Sequence, residues 1–272
     1  MTAAPRPRVV VSLRTDVGCR REVNEDSGLA VTPHDPAELA SKGVLVLVAD
    51  GMGGHAAGEV ASRLAVDTIR TAYYRSPDGP RAALVNAFEL ANRAIYDAAR
   101  KDQRLAGMGT TCTGLAVHGG HAACAHVGDS RLYLVRGGQI YTMTEDHSAV
   151  RDLVKRGLLS AADARHHEER NVILRALGTR PRVEVASWDD PLPVRAGDGF
   201  VVCSDGLHDL VEAEELLEAV EQLDPAGACD RLVHLARERG GYDNITVAVL
   251  RVEAADHGGA AAPDTREVRA RS

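Results

Sequence analysis

The sequence predicts one domain of the layered α+β class rather than a doubly wound α/β sheet. Strand-length apolar runs come in blocks, not in strict alternation with helical patterns. In the clearest block, residues 111–143, the connections are too short to hold a crossover helix, so its strands must be antiparallel. Helical patterns come in pairs beside those blocks, as helix layers over sheets require.

The elements follow in order. Val9–Leu13, Gly28–Thr32 and Val44–Ala49 are short, apolar or alternating, and bounded by polar residues, which predicts strands. Residues 58–74 and 81–101 carry apolar residues at helical spacing, and Ser76-Pro77-Asp78-Gly79-Pro80 breaks them apart. Within 111–143, strands are expected at 113–117, 122–127, 131–135 and 139–143. Gly119-Gly120 and Gly137-Gly138 make the hairpin turns. A polar segment, 148–171, should hold short helices. Strands near 183–188 and 200–203, helices over about 209–222 and 226–239, and a last strand at 245–249 complete the domain.

The 272 residues can bury one sizeable core, built from Val, Leu, Ile and Ala because only 3% are aromatic. A formal charge of −7 argues against nucleic acid as a partner. The five cysteines are scattered without metal-type spacing, and Cys112, Cys124 and Cys203 lie in apolar runs, so buried free thiols in a reducing compartment are expected. No signal-like start and no bilayer-length apolar run is seen, which predicts a cytoplasmic protein without membrane insertion. Residues 1–8 and 254–272 are expected to be disordered tails around a 9–253 domain.

Carboxylates stand at the ends of the apolar runs. Val44–Ala49 leads into Asp50-Gly51, 122–127 into Gly128-Asp129, and 200–204 into Asp205-Gly206. Asp243 precedes the final strand, and Glu25-Asp26 precedes the second. Strands in register bring such ends together, and clustered carboxylates favour a hard, oxygen-seeking divalent cation. Turn propensity alone also explains each Asp-Gly pair. By themselves these residues leave two readings open, a set of turns or an acidic metal site. Phosphate-loop, nucleophile-elbow and zinc-helix motifs are missing.

Seven motifs carry a resemblance along nearly the whole core. They are residues 16–27 (Asp-Val-Gly-Cys-Arg-Arg-Glu-Val-Asn-Glu-Asp-Ser), 48–55 (Val-Ala-Asp-Gly-Met-Gly-Gly-His) and 108–111 (Met-Gly-Thr-Thr). Next come 126–131 (His-Val-Gly-Asp-Ser-Arg), 144–148 (Thr-Glu-Asp-His-Ser), 204–207 (Ser-Asp-Gly-Leu) and 241–246 (Gly-Tyr-Asp-Asn-Ile-Thr). In this order they resemble the bacterial form of the metal-dependent, type-2C serine/threonine protein phosphatases.

The resemblance implies a four-layer αββα sandwich, two antiparallel sheets between helix pairs. It implies two Mn²⁺ or Mg²⁺ ions, with Asp50 bridging them, the Gly51 carbonyl on one, and Asp205 and Asp243 on the other. Glu25 and Asp26 would hold metal-bound waters, Asp129 a third, weaker ion, and Arg21 the substrate phosphate. Hydrolysis would proceed by direct attack of a water or hydroxide shared by the two ions. Phosphorylated proteins, and the Ser/Thr kinases that make them, are the implied partners. Two departures stand out. Met52 occupies the position where eukaryotic members carry a histidine that can act as general acid, with His55 three residues on. Glu168 stands where bacterial members often have proline, in the 148–171 segment that matches their mobile flap. A catalytically silent phosphopeptide-binding module would be expected to lack a metal aspartate, and none is missing. Small phosphoesters are the alternative substrates.

Overall fold

A computed structural model of the chain describes residues 8–53, 57–164, 167–254 and 267–269. The first elements are β1 (Arg8–Asp16), β2 (Asp26–Val31), α1 (Pro36–Lys42), β3 (Val44–Met52), α2 (Ala57–Arg75) and α3 (Pro80–Lys101). A short run of strands follows: β4 (Gly109–Thr110), β5 (Cys112–His118), β6 (His121–Val127), β7 (Arg131–Arg136) and β8 (Gln139–Thr142). Then come α4 (Ala149–Lys155), α5 (Ala161–Ala164), β9 (Ala186–Ser187), β10 (Leu192–Pro193) and β11 (Gly199–Cys203). The chain closes with α6 (Asp205–His208), α7 (Ala213–Gln222), α8 (Pro225–Glu238), β12 (Ile245–Glu253) and β13 (Glu267–Arg269).

Two antiparallel sheets form the centre. One has the order β1-β12-β11-β7-β8 and the other β10-β6-β5-β3-β2-β13, with β4 beside β3 and β9 beside β6. Leu13, Val46, Val48, Leu115, Leu132, Phe200 and Leu250 fill the space between the sheets. The other face of β3, with Leu45, Leu47 and Ala49, packs on Ile69 and Tyr73 of α2 and on Leu84 and Phe88 of α3. Val247 and Val249 of β12 meet Leu216 and Val220 of α7 and Leu232 of α8. The result is the four-layer αββα sandwich. It explains why β3 reads as an unbroken apolar run: period-two side chains on a strand covered on both faces leave no polar face. Each fully buried Leu or Val contributes about 1.5–3 kcal/mol.

Several local expectations are revised. Helix α1 was not expected, because seven residues show no apolar period. Its end signals decide instead: the Asp35 side chain accepts from the Ala37 amide, Pro36 starts the helix and Gly43 (φ 72°) ends it. The helix expected from 209 begins at Ala213, where a Glu212–Glu215 capping box sets its start. Of the strand expected at 183–188, only Ala186–Ser187 pairs, with β6. In the tail expected to be disordered, Glu267–Arg269 adds to the edge of β2, Glu267 opposite Val31 and Arg269 opposite Leu29. Val268 covers the inter-sheet core there, and Arg269 pairs with Asp67 at 2.9 Å. Among the described residues all five cysteines are free, four of them buried and Cys19 exposed. No described helix is long and apolar enough to cross a membrane.

Candidate metal centre and active site

The acidic residues meet at one end of the sandwich because antiparallel pairing fixes their register. Asp26 at the start of β2 lies directly opposite Asp50 on β3. Asp205 opens α6 immediately beyond β11, Asp243 precedes β12, and Asp129 sits in the turn between β6 and β7. Asp50 feels the charges of Asp205, Asp26 and Asp129, and Asp205 feels that of Asp243. The structure therefore brings together Arg21, Glu25, Asp26, Asp50, Gly51, Asp129, Asp205 and Asp243.

Backbone detail holds them there. The Asp50 amide donates to Thr111 Oγ1 at 3.0 Å, and Thr110 Oγ1 donates to the Asp50 carbonyl at 2.8 Å. Ser204 Oγ donates to Asp26 Oδ2 at 2.7 Å. Asn244 ties the 17–25 loop to the final strand. Its Oδ1 accepts from the Glu25 amide at 2.8 Å, and its Nδ2 donates to the carbonyls of Val17 and Val23, both at 3.0 Å. Sequence reasoning missed these groups as parts of a site. Their signal was adjacency, since Ser204, Thr111 and Asn244 each lie within motifs that also carry a carboxylate.

Gly51 and Gly58 make the tightest junction. A Cβ on Gly51 would lie 2.2 Å from the Gly58 carbonyl oxygen and 2.5 Å from that of Glu25. A Cβ on Gly58 would lie 2.5 Å from Glu25 Oε1. Only bare backbone lets the start of α2 close on the Glu25 carboxylate. Gly58→Ala is expected to push the Glu25 carboxylate aside and lower stability by about 1–3 kcal/mol. Phosphate release should fall about tenfold or more at a temperature where the variant remains folded, an effect of the size seen when groups supporting a metal site are lost. Thermal melting and kinetics on one preparation check both parts.

Electrostatics at the site run against the carboxylates. Burial, then the charges of Asp205, Asp26 and Asp129, raise Asp50 well above the usual carboxylate range. Asp50 and Asp205 are within hydrogen-bond reach of each other, a contact that holds the proton on Asp50. Asp26 and Asp129 are each pushed up to about 7, by burial first. Glu25 is also raised by burial, against the lowering pull of Arg21. Such groups bind more protons folded than unfolded. For Asp26 and Asp129 the contribution to stability is full below the unfolded value of about 4 and is lost as pH rises through about 7. In chelator, the melting midpoint should therefore fall between about pH 4 and pH 7, and Asp129→Asn should flatten part of that fall. Calorimetry across this window checks it; an Asp129→Asn slope equal to wild type would contradict the argument.

The residues fit a divalent cation. Glu25 Oε1, Asp26 Oδ1, Asp129 Oδ1 and Asp205 Oδ1 are buried and have no hydrogen-bond partner among the described residues. All are acceptors, so the missing partner is a donor or a cation. Among the described residues no three acidic, histidine or cysteine side chains form a closed ligand set. The fit rests on the orphaned oxygens and on the all-oxygen donor set, which favours Mg²⁺ or Mn²⁺ over zinc.

Arg21 lies on the rim. Its Nη2 donates to Asp243 Oδ2 at 2.7 Å, with 49% and 35% of the two side chains exposed. The guanidinium makes no other bond among the described residues, leaving N–H groups for a ligand. Met52 is half-buried at the end of β3, and His55 lies outside the described residues. The segment expected as a flap holds α4 and α5, and His166 within it lies outside the described residues. Its neck is closed by pairing of Ser148 with Ile173 and by the Leu174 amide donating to the His147 carbonyl at 2.7 Å.

Comparison with known proteins agrees with this architecture. The family model described as protein phosphatase 2C matches residues 34–237. The serine/threonine protein phosphatase PstP of Mycobacterium tuberculosis is 38% identical over 246 residues, covering 90% of this chain and 47% of PstP. The chain thus spans about half the length of that relative. The serine/threonine phosphatase stp of Listeria innocua is 37% identical over 250 residues, covering 87% of this chain and 93% of its own. A crystal structure of the PstP catalytic domain in complex with two manganese ions matches with a TM-score of 0.76 and 36% identity, over 90% of this chain and 98% of that one.

Proposed function

The chain belongs to the protein phosphatase 2C family, and from that premise we propose that it hydrolyses phosphoserine and phosphothreonine in other proteins, opposing Ser/Thr kinases in the cytoplasm. The observation that carries this reading is the cluster of orphaned carboxylate oxygens beside a rim arginine. Two core ions, Mn²⁺ or Mg²⁺, would be held by Asp50, the Gly51 carbonyl, Asp205 and Asp243, and a third, weaker one by Asp129. When bound, such ions would lower the pKa of a nearby water and draw charge from the phosphoryl oxygens.

The chain's own groups do the rest. Glu25 and Asp26 accept hydrogen bonds from water and orient it in line with the ester bond. Asp26 is held for this by Ser204, and the start of α2 packs directly on the Glu25 carboxylate. Arg21 turns its free N–H groups onto two phosphoryl oxygens, a fork that fits their geometry. The ester P–O bond breaks as the bond from the water oxygen to phosphorus forms, and the serine or threonine oxygen leaves with a proton given up by that water. No side chain carries the phosphoryl group in this scheme.

Peptides carrying phosphothreonine, phosphoserine or phosphotyrosine, with p-nitrophenyl phosphate alongside, test the substrate class. The expected result is a higher kcat/KM on phosphothreonine and phosphoserine peptides than on either comparator. Turnover of the small ester alone would reject a protein substrate.

A further inference from the structure

Two histidines bond to the backbone of the Gly128–Asp129 turn, and neither is among the proposed ligands. From the flap neck, His147 Nδ1 accepts from the Gly128 amide at 3.1 Å, while its own amide donates to the Gly128 carbonyl at 2.7 Å. From the end of α6, His208 Nε2 lies 3.0 Å from the Asp129 carbonyl oxygen. A carbonyl only accepts, so His208 must carry its proton on Nε2 and donate. The other ring nitrogen, Nδ1, has no hydrogen-bond partner among the described residues; it lies 3.3 Å from Asp209 Oδ1, a contact that becomes a bond only when Nδ1 also carries a proton. The His208 side chain is only 3% exposed, so water does not compete for these contacts.

His208 is the last residue of the four-residue helix that Asp205 begins. The imidazole is therefore a rigid strut between the Asp205 turn and the Asp129 turn. We propose that His208 is a positioning residue that sets the Asp129 carboxylate relative to the core site, and thereby the affinity for the third ion. This rests on the reading of Asp129 as the ligand of that ion. A buried histidine that merely fills space would predict that shape matters and the donor does not.

Three substitutions separate the two. In His208→Gln the amide nitrogen can reach the place of Nε2 and donate to Asp129. In His208→Asn it matches only the Nδ1 side and cannot reach. His208→Leu keeps an apolar filling with no donor. Calorimetric titration with Mn²⁺ should show the weak site loosened about 10–100-fold in the Leu and Asn variants, with the tight sites changed by less than about threefold. The Gln variant should stay near wild type. Amide hydrogen exchange in chelator gives a readout that needs no metal. Residues 128–130 should exchange faster in the Leu and Asn variants and at the wild-type rate in the Gln variant.

Equal behaviour of all three variants in exchange would overturn the proposal, as would loss of the tight sites. If Asp129→Ala itself leaves the Mn²⁺ isotherm unchanged, the third-ion reading fails. Exchange then decides the tether alone: faster exchange in Leu and Asn but not Gln upholds it, and no difference removes it.

Discussion

Asp205→Asn is expected to cut turnover by on the order of 10³-fold or more, about 4 kcal/mol of transition-state stabilisation. The reasoning is comparative. Losing a partner outside the ligand shell already costs about 10–100-fold in many metal sites, and a direct ligand is worth more. Asparagine keeps the shape but removes a charge that burial and its neighbours already disfavour. The same substitution should therefore make the metal-free protein more stable near neutral pH. Metal added at about 100 times its dissociation constant stabilises a folded protein by about 2.7 kcal/mol, and the variant should lose much of that gain. The two melting shifts have opposite signs in chelator and in Mn²⁺, which general damage to the fold cannot imitate. Wild-type turnover at limiting Mn²⁺ would remove Asp205 from the site.

Arg21→Ala should raise KM and lower kcat together, costing about 2–4 kcal/mol in kcat/KM. The fold should hardly notice, because the Arg21–Asp243 pair is half-exposed and such pairs contribute about 0–1 kcal/mol. Mn²⁺ affinity should not fall, since the substitution frees Asp243 Oδ2 rather than removing a ligand. Arg21→Lys should recover only part of the loss, as an ammonium cannot form the planar fork. Arg20, exposed and next in sequence, is the control: Arg20→Ala should be nearly silent. Equal damage from both would put the phosphate on the wrong side chain.

Much of this was legible in the sequence where a strong local signal coincides with a packing need. The apolar runs of β3, β5, β6 and β12 predict buried strands because both of their faces are covered. The carboxylates at their ends were visible as a pattern, but Asp-Gly also makes turns, so spacing alone could not join them. What joins them is register, such as Asp26 opposite Asp50, and register belongs to the sheet rather than to any one segment. Elements fixed by their ends or by distant partners were missed. Helix α1 shows only its caps, and the three residues of β13 owe their strand to the open edge of β2. Gly58 and His208 were invisible for the same reason. Their importance lies in the absence of room for a Cβ between Gly58 and Glu25 and in a 3.0 Å bond to the Asp129 carbonyl, both of which tertiary packing creates.

The central claim is that this acidic cluster performs phosphoester hydrolysis only as a metal site. Phosphate release from a phosphothreonine peptide, followed while chelated protein is titrated with Mn²⁺, tests it most directly. Release should be absent in chelator, rise as two equivalents bind, and not return when Mn²⁺ is added to an Asp50→Ala, Asp205→Asn double variant. Release that proceeds undiminished in chelator, or that the double variant supports, would contradict it.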